Sequence, residues 1–204
     1  MATRSAGTRH RRQGSRPDPS IDQAVLSATR RLLVQRGYAA TSIDLIAGTA
    51  GVSRPTIYRR WKSKALLVHE AVFPDLDPAA PSDDIATEIT RLCRGAFLMF
   101  CDPAVRESIP GLLTELRADS DIRRLMTERL DAAARTQLAS LLTDPDSARR
   151  ARRQINVDTI MDAIGGAAMY AVCVRGVDDP QEIERAAADL AELILRGMLE
   201  QPGG

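Results

Sequence analysis

The residue arrangements that most enzyme chemistries require are missing from this chain of 204 residues. Its three cysteines, Cys93, Cys101 and Cys173, are scattered without CxxC spacing, so neither a zinc site nor a redox pair is indicated, and reduced thiols suit the cytoplasm. Only two histidines exist, His10 and His69, and there is no P-loop, no dinucleotide glycine motif and no assembly resembling a catalytic triad. No catalytic residue, metal ligand or cofactor is therefore assigned, and an enzyme is not expected. The acidic pairs Asp83-Asp84 and Asp178-Asp179 read as helix-start caps, which explains them without metal or acid–base chemistry. No apolar segment follows the N-terminal charges as a signal peptide demands, and no stretch reads as approaching transmembrane length, so no membrane partner is expected. Strand signals are scarce too. Long periodic segments rich in Ala, Leu, Arg and Glu, with few β-branched runs, predict an all-α chain of about nine helices.

Lysine is nearly absent, and the two that exist, Lys62 and Lys64, stand almost side by side against 26 arginines elsewhere. A high Arg to Lys ratio with abundant Ala is associated with a GC-rich bacterial genome. The net charge of +1 conceals an asymmetry. Residues 1–75 hold 13 Arg or Lys against 5 Asp or Glu (+8), while residues 76–204 hold 15 against 22 (−7). A basic N-terminal third is the electrostatic footprint of a nucleic-acid module, because neutralising phosphates supplies most sequence-independent affinity.

Within that basic part, Thr41 to Lys64 reads as two short helices around a tight turn. The first runs from about Ser42 to Ala50, with Thr41 or Ser42 as N-cap and Ile43, Ile46, Ala47 and Ala50 facing inward. Gly51 supplies a left-handed turn residue and Val52 plugs the angle between the helices. Ser53 caps the second helix, Pro55 sits in its first turn, and Ile57 with Trp61 forms its buried stripe. That leaves Arg54, Thr56, Tyr58, Arg59 and Arg60 on other faces as donors for phosphates and base edges, the outline of a helix-turn-helix DNA reader. Ser63 between the lysines caps a further helix, Lys64 to Phe73, whose N-terminus is suited to phosphate. A helix from Asp18-Pro19-Ser20 to a glycine stop at Gly37, with the stripe Ile21, Val25, Ala28, Leu32 and Leu33, completes a three-helix head. Gly48 inside the first reader helix is unusual and costs about 1 kcal/mol in propensity unless close packing needs it.

Residues 19–73 resemble the DNA-binding domain of the TetR/AcrR family of bacterial transcription regulators. The resemblance rests on Gly37-Tyr38, Thr41-Ser42, Ile46-Ala47, Ala50-Gly51-Val52-Ser53, Thr56-Ile57-Tyr58, Trp61, Lys62-Ser63-Lys64 and Leu66-Leu67. It implies that Tyr58 contacts phosphate and that Lys64 clamps the backbone. The chain departs from the family's commoner His-Tyr at Arg59-Arg60, which points to a different, G-rich operator, and from Phe at Trp61, a conservative core change. The candidate DNA-binding set is Thr41, Ser42, Ser53, Arg54, Thr56, Tyr58, Arg59, Arg60, Lys62 and Lys64, and the partner is a double-stranded DNA operator.

Four segments follow: a basic arm, 1–17, without apolar periodicity and read as disordered; the head, 18–73; a proline-marked linker, 74–81, separating head from body; and the body, 82–204. The arm is either an inert tail or an extension along the DNA backbone or into a minor groove. In the body, Ser82-Asp83-Asp84 begins a helix carrying Ile85, Ile89, Leu92, Ala96 and Phe100 that ends near Asp102-Pro103. Pro110-Gly111 opens a short helix to about Asp119, and Asp121 opens a longer one to about Leu142. The next helix starts either after Thr143-Asp144-Pro145-Asp146 or at Asn156 and ends near Arg175, with the basic run 149–153 reading as solvated surface. It and the last helix, about Asp179 to Leu199, are rich in apolar and small residues, so they bury against another copy or within an intrachain core.

The family resemblance decides for a homodimer through this pair, with Ile160, Gly165, Gly166, Ala167, Ile183, Ala187, Leu190 and Ile194 as the candidate interface and two heads about one DNA turn apart. It also implies a small-molecule effector cavity. The candidate lining is Leu92, Phe97, Phe100, Leu112, Leu113, Leu116, Met126, Leu130, Met161, Ile164, Tyr170 and Cys173, suited to an apolar or amphipathic effector with Tyr170 as a polar anchor and no buried charge cluster. A family member of this kind is expected to repress from a palindrome. Two other readings remain: a nucleoid-type architectural binder without effector, and a helical interaction module that binds no DNA.

Overall fold

In a computed structural model, the structure describes residues 19–73, 82, 84–124, 132–143 and 156–198. The arm and the linker lie outside these, as do Met126, Leu130 and the basic run 149–153. All regular structure among the described residues is helical. The helices are α1 (Pro19–Ala40), α2 (Ile43–Ala50), α3 (Arg54–Tyr58), α4 (Lys64–Val72), α5 (Ile85–Cys101), α6 (Pro103–Ala118), α7 (Ala132–Thr143), α8 (Val157–Met169, continued by a π turn Tyr170–Val174) and α9 (Pro180–Met198). Residues 120–124 are helical as well.

Local chemistry sets most boundaries. Asp84 accepts from the Thr87 amide to start α5, Asn156 from Asp158 to start α8, and Asp179 from Gln181 and Glu182 to start α9. The later of the two predicted starts for α8 is thus the observed one.

Two expected starts in the body are displaced. The helix expected from Pro110-Gly111 begins at Pro103, because Asp102 Oδ1 accepts from the Ala104 and Val105 amides, and Pro110 lies inside α6. Likewise Asp119, not Asp121, caps the following turn, accepting from Asp121 and Ile122. The chain also contains one run, Val157–Val174, whose 18 residues and mean hydropathy of 1.4 are long and apolar enough to cross a membrane. This corrects the expectation that no stretch approaches that length. In the fold the run packs on α5, and its Asp158 and Asp162 both reach Arg135 of α7, at 2.6 and 3.3 Å.

Three apolar clusters organise the chain. Val25, Leu32, Ile43, Ile46, Ala47, Ile57, Trp61 and Leu67 close the head. Far from it, Ile89, Leu92 and Cys93 of α5 meet Leu138, Ile160, Met161, Ile164, Ala191 and Met198. Between them lies the largest, in which Leu33 and Tyr38 of α1 and Ala65, Val68 and Val72 of α4 pack with Phe97, Phe100, Val105, Leu112, Val172, Val177 and Ile183. Helices α1 and α4 therefore serve both the head core and the junction with the body.

Polar contacts cross the same junction. Arg30 of α1 donates to the Ala71 carbonyl of α4 at 3.1 Å and to Asp102 at 2.5 Å, so the residue that caps α6 also holds the head. The Tyr38 hydroxyl lies 3.5 Å from Glu115 of α6, and burial first, then that carboxylate, raises its pKa.

Candidate nucleic-acid interface

Helix α2 starts at Ser42, whose Oγ accepts from the Leu45 amide, and stops at Gly51, which is left-handed (φ 69°, ψ 28°) with its N–H on the Ala47 carbonyl. Ser53 then caps α3. Ile57 is fully buried and Trp61 nearly so, although Trp61 lies just past the last residue of α3 with its amide still bonded to the Ile57 carbonyl. These anchors fix the exposed side of the reader helix.

On that side stand Arg54, Tyr58, Arg59 and Lys62, all exposed, with Ser42 and Ser53 at the helix starts. The side chains are pre-arranged. Ser53 Oγ lies 2.9 Å from Thr56 Oγ1, which accepts from Arg59 Nη2 at 3.1 Å, and Arg54 Nε is 3.0 Å from Asp44 Oδ1 of α2. Both partners in the second pair are more than half exposed, so the pair is worth at most about 1 kcal/mol and yields readily to a phosphate or a base edge.

Three predicted contact residues are placed elsewhere. Thr41 is fully buried, and its hydroxyl donates to the Gly37 carbonyl at 2.8 Å, so it locks the α1–α2 corner. Arg60 is turned back onto Asp22 of α1, with its side chain only 18% exposed. Lys64 donates to the Tyr38 carbonyl at 3.1 Å and sits 3.8 Å over the Tyr38 ring. Burial lowers its pKa and the nearby Glu115 opposes that. The partners of Arg60 and Lys64 lie 38 and 26 residues away in sequence, whereas the Thr41 hydroxyl bonds back four residues to the end of α1.

In the body the candidate effector wall divides. Leu92, Met161 and Ile164 belong to the distal cluster, whereas Phe97, Phe100, Leu112 and, at its edge, Leu116 and Cys173 belong to the junction cluster. Leu113 and Tyr170 are 44% and 57% exposed and belong to neither buried cluster. Among the described residues one buried acidic side chain is present, a single residue rather than a cluster. Glu88 on α5 is fully buried, held by Arg91 Nε at 2.9 Å and by its Nη2. An acidic residue flanked by Thr87 and Ile89 gives no sign in sequence of facing inward.

The candidate interface residues divide similarly. Ile160, Ile183 and Ala187 are buried in the chain's own core, because α8 and α9 both pack on α5. Gly165, Gly166, Ala167, Leu190 and Ile194 retain exposure. They adjoin Ala163, Tyr170 and Val174 on α8 and Leu193, 70% exposed, on α9.

Similarity to known proteins agrees with this geometry. The family profile described as "Bacterial regulatory proteins, tetR family" matches residues 25–71. A protein of Bacillus subtilis (strain 168), described as the uncharacterized HTH-type transcriptional regulator YdeS, is 28% identical over 174 residues, spanning 81% of this chain and 84% of its own. Among solved structures, NalD, the secondary repressor of the MexAB-OprM multidrug efflux pump in Pseudomonas aeruginosa, superposes with a TM-score of 0.63 at 20% identity, covering 91% of this chain and 98% of its own. The Bacillus subtilis regulator FadR in complex with stearoyl-CoA gives 0.60 at 17% identity, covering 86% and 98%. At these identities the structures speak for the fold.

Proposed function

We propose, from the premise that this chain belongs to the TetR family of bacterial regulatory proteins, that it works as a dimeric cytoplasmic repressor released from a palindromic operator by a small effector. DNA-binding transcriptional regulation is the activity of the family, which is not one of enzymes. The observation that carries the DNA-reading part is the pairing of a locked underside, Ile57 and Trp61, with an exposed Arg54, Tyr58, Arg59 and Lys62. Arg59, oriented by Thr56, is a candidate for bidentate contact with guanine, and Tyr58 and Lys62 for phosphate.

The exposed face of α8 and α9 supports the dimer. Ala163, Gly166, Tyr170, Val174 and Leu193 form an apolar surface on adjacent helices, and small residues let a second copy approach closely. An effector of apolar or amphipathic character is favoured by the aliphatic and aromatic interior around Leu92, Phe97, Phe100, Leu112, Met161 and Ile164, with the Glu88–Arg91 pair as its polar feature. Release works by population shift: an effector that binds better to one arrangement of the body alters the spacing of the two heads through Arg30–Asp102 and Tyr38–Glu115.

The test is selection of bound fragments from the source genome by the purified protein at about 50 and 200 mM salt, a range over which nonspecific phosphate binding weakens steeply. A palindrome retained at the higher salt establishes the reading. Unrelated fragments lost with salt would mark an architectural binder, and no fragments at either salt an interaction module.

A further inference from the structure

We propose that Cys101 and Cys173 form a reversible disulfide that couples the redox state of the cell to the grip of the body on the DNA-binding head. The proposal adds a regulatory input to the DNA-binding reading above and rests on it. The two cysteines are 72 residues apart in sequence, which hides them from any spacing rule. The fold brings the elements that carry them together. Cys101 is the last residue of α5 and Cys173 lies in the π turn that ends α8, the π turn packs on α5, and both side chains sit partly buried at the edge of the junction cluster.

Their electrostatic surroundings overlap as well. Burial raises the pKa of both thiols, the Arg106 guanidinium offsets part of that for each, and Cys101 raises Cys173 further, so only a minor thiolate fraction carries the exchange. Asp178, from the loop after the π turn, acts on Cys101. Cys93 differs: it is fully buried in the distal cluster and pushed up to about 11. All three are free thiols in this state.

The oxidant is a low-molecular-weight disulfide. The thiolate of one cysteine attacks a sulfur of that disulfide, forming a mixed disulfide and expelling one thiolate, which takes up the first proton. The second cysteine's thiolate then attacks the protein sulfur of the mixed disulfide, expelling the other small thiolate, which takes up the second proton. The protein dithiol loses two electrons, and the small disulfide gains them as two thiols.

Closing the bond has a consequence at the head. A disulfide requires the two Cα atoms to lie within about 7 Å and fixes the side-chain torsions between them. The π turn is the element that can adjust, since such single turns interrupt the regular α ladder. Cys101 directly precedes Asp102, which caps α6 and binds Arg30, so repositioning the end of α5 acts on the contact that ties α1 and α4 to the body.

The experiment uses the full-length chain and its C93S, C101S and C173S variants, incubated with oxidised glutathione or with reductant, then alkylated and mapped by mass spectrometry. The expected result is a Cys101–Cys173 linked peptide in wild type and C93S, reversed by reductant and absent from the other two. Operator affinity of oxidised wild type and C93S should fall by roughly fivefold or more, in the usual range of coupling between sites, with C101S and C173S unaffected. Absence of the linked peptide, a bond to Cys93 or between chains, or a bond without change in operator affinity would overturn the proposal. Peptide mapping does not depend on DNA. If reduced wild type binds no operator, it is the DNA-binding reading that fails, independently of the mapped bond.

Discussion

Gly111 of α6 lies flat against the ring of Tyr38, so closely that a β-carbon at position 111 would overlap three of the ring's atoms. The ring is 8% exposed and is covered on another side by the Lys64 ammonium, so it has little room to retreat. Gly111→Ala should therefore destabilise the protein by about 1–3 kcal/mol, the usual range for overpacking, read as a fall in denaturation midpoint at constant m. Tyr38→Ala removes the obstruction at its own cost. The double variant should consequently lose clearly less than the two single losses added, and strict additivity would show that the glycine serves another purpose.

The same tyrosine predicts an alkaline limit. Its pKa is raised in the folded state by burial and by Glu115, so the stability linked to its neutral form is complete below its ordinary value of 10.0 and is lost as pH rises above that. Wild type should weaken progressively above about pH 10, and Tyr38→Phe, which cannot ionise, should weaken less over that window. Urea titrations at pH 8, 10 and 11 would compare the two slopes; equal slopes would remove Tyr38 from the account.

Arg54 and Arg60 look alike in sequence, but they are put to different use. Arg54 is exposed beside Asp44, while Arg60 is drawn back onto Asp22. Replacing Arg54 by Ala should cost operator binding about 1–3 kcal/mol if it reads a base, or reduce the salt slope by about 1 if it neutralises a phosphate, with little change in melting. Arg60→Ala should lower stability by about 1 kcal/mol, leaving Asp22 unpaired, and Asp22→Ala in the same chain should restore part of it. A large operator effect of Arg60→Ala without a stability loss would place that arginine on the DNA.

Gly48 carries a cheaper test of local physics. It sits exposed in α2, and a β-carbon there meets nothing within 4 Å. No packing needs the glycine, so Gly48→Ala should stabilise the head by about 0.5–1 kcal/mol. An unchanged or lowered denaturation midpoint would mean that something other than helix propensity governs the position.

What could be read from the chain depended on the range of the interaction. Ser42, Gly51, Ser53 and Asp84 act on backbone within four residues of themselves, and their roles were visible in sequence. The apolar stripe Val25, Ala28, Leu32 and Leu33 was equally visible because a helix has a fixed period. Arg60 with Asp22, Arg30 with Asp102 and Tyr38 with Glu115 pair over long separations that no periodicity encodes. The start of α6 was misplaced for a different reason. Two proline signals competed, and Asp102 with its two accepted amides outweighed Pro110, whose missing N–H the helix tolerates.

On the outer face of α9, Leu193 is 70% exposed, while Ala187 and Ala191 of the same helix are buried against the chain's own core. A large aliphatic side chain that exposed, next to Leu190, Ile194 and the Tyr170 and Val174 edge of α8, belongs at the centre of a self-complementary contact if α8 and α9 pair with a second copy. Leu193→Glu would then place a carboxylate from each protomer in an apolar interface near the twofold axis, at a cost of several kcal/mol in dimerisation. Because the monomer loses no internal contact that buries Leu193, its own fold should survive. Sedimentation equilibrium should show wild type as a dimer and the variant as a monomer of unchanged helicity. Operator affinity should fall in parallel, since one head alone engages a half-site. A variant that remains dimeric would move the interface away from this face.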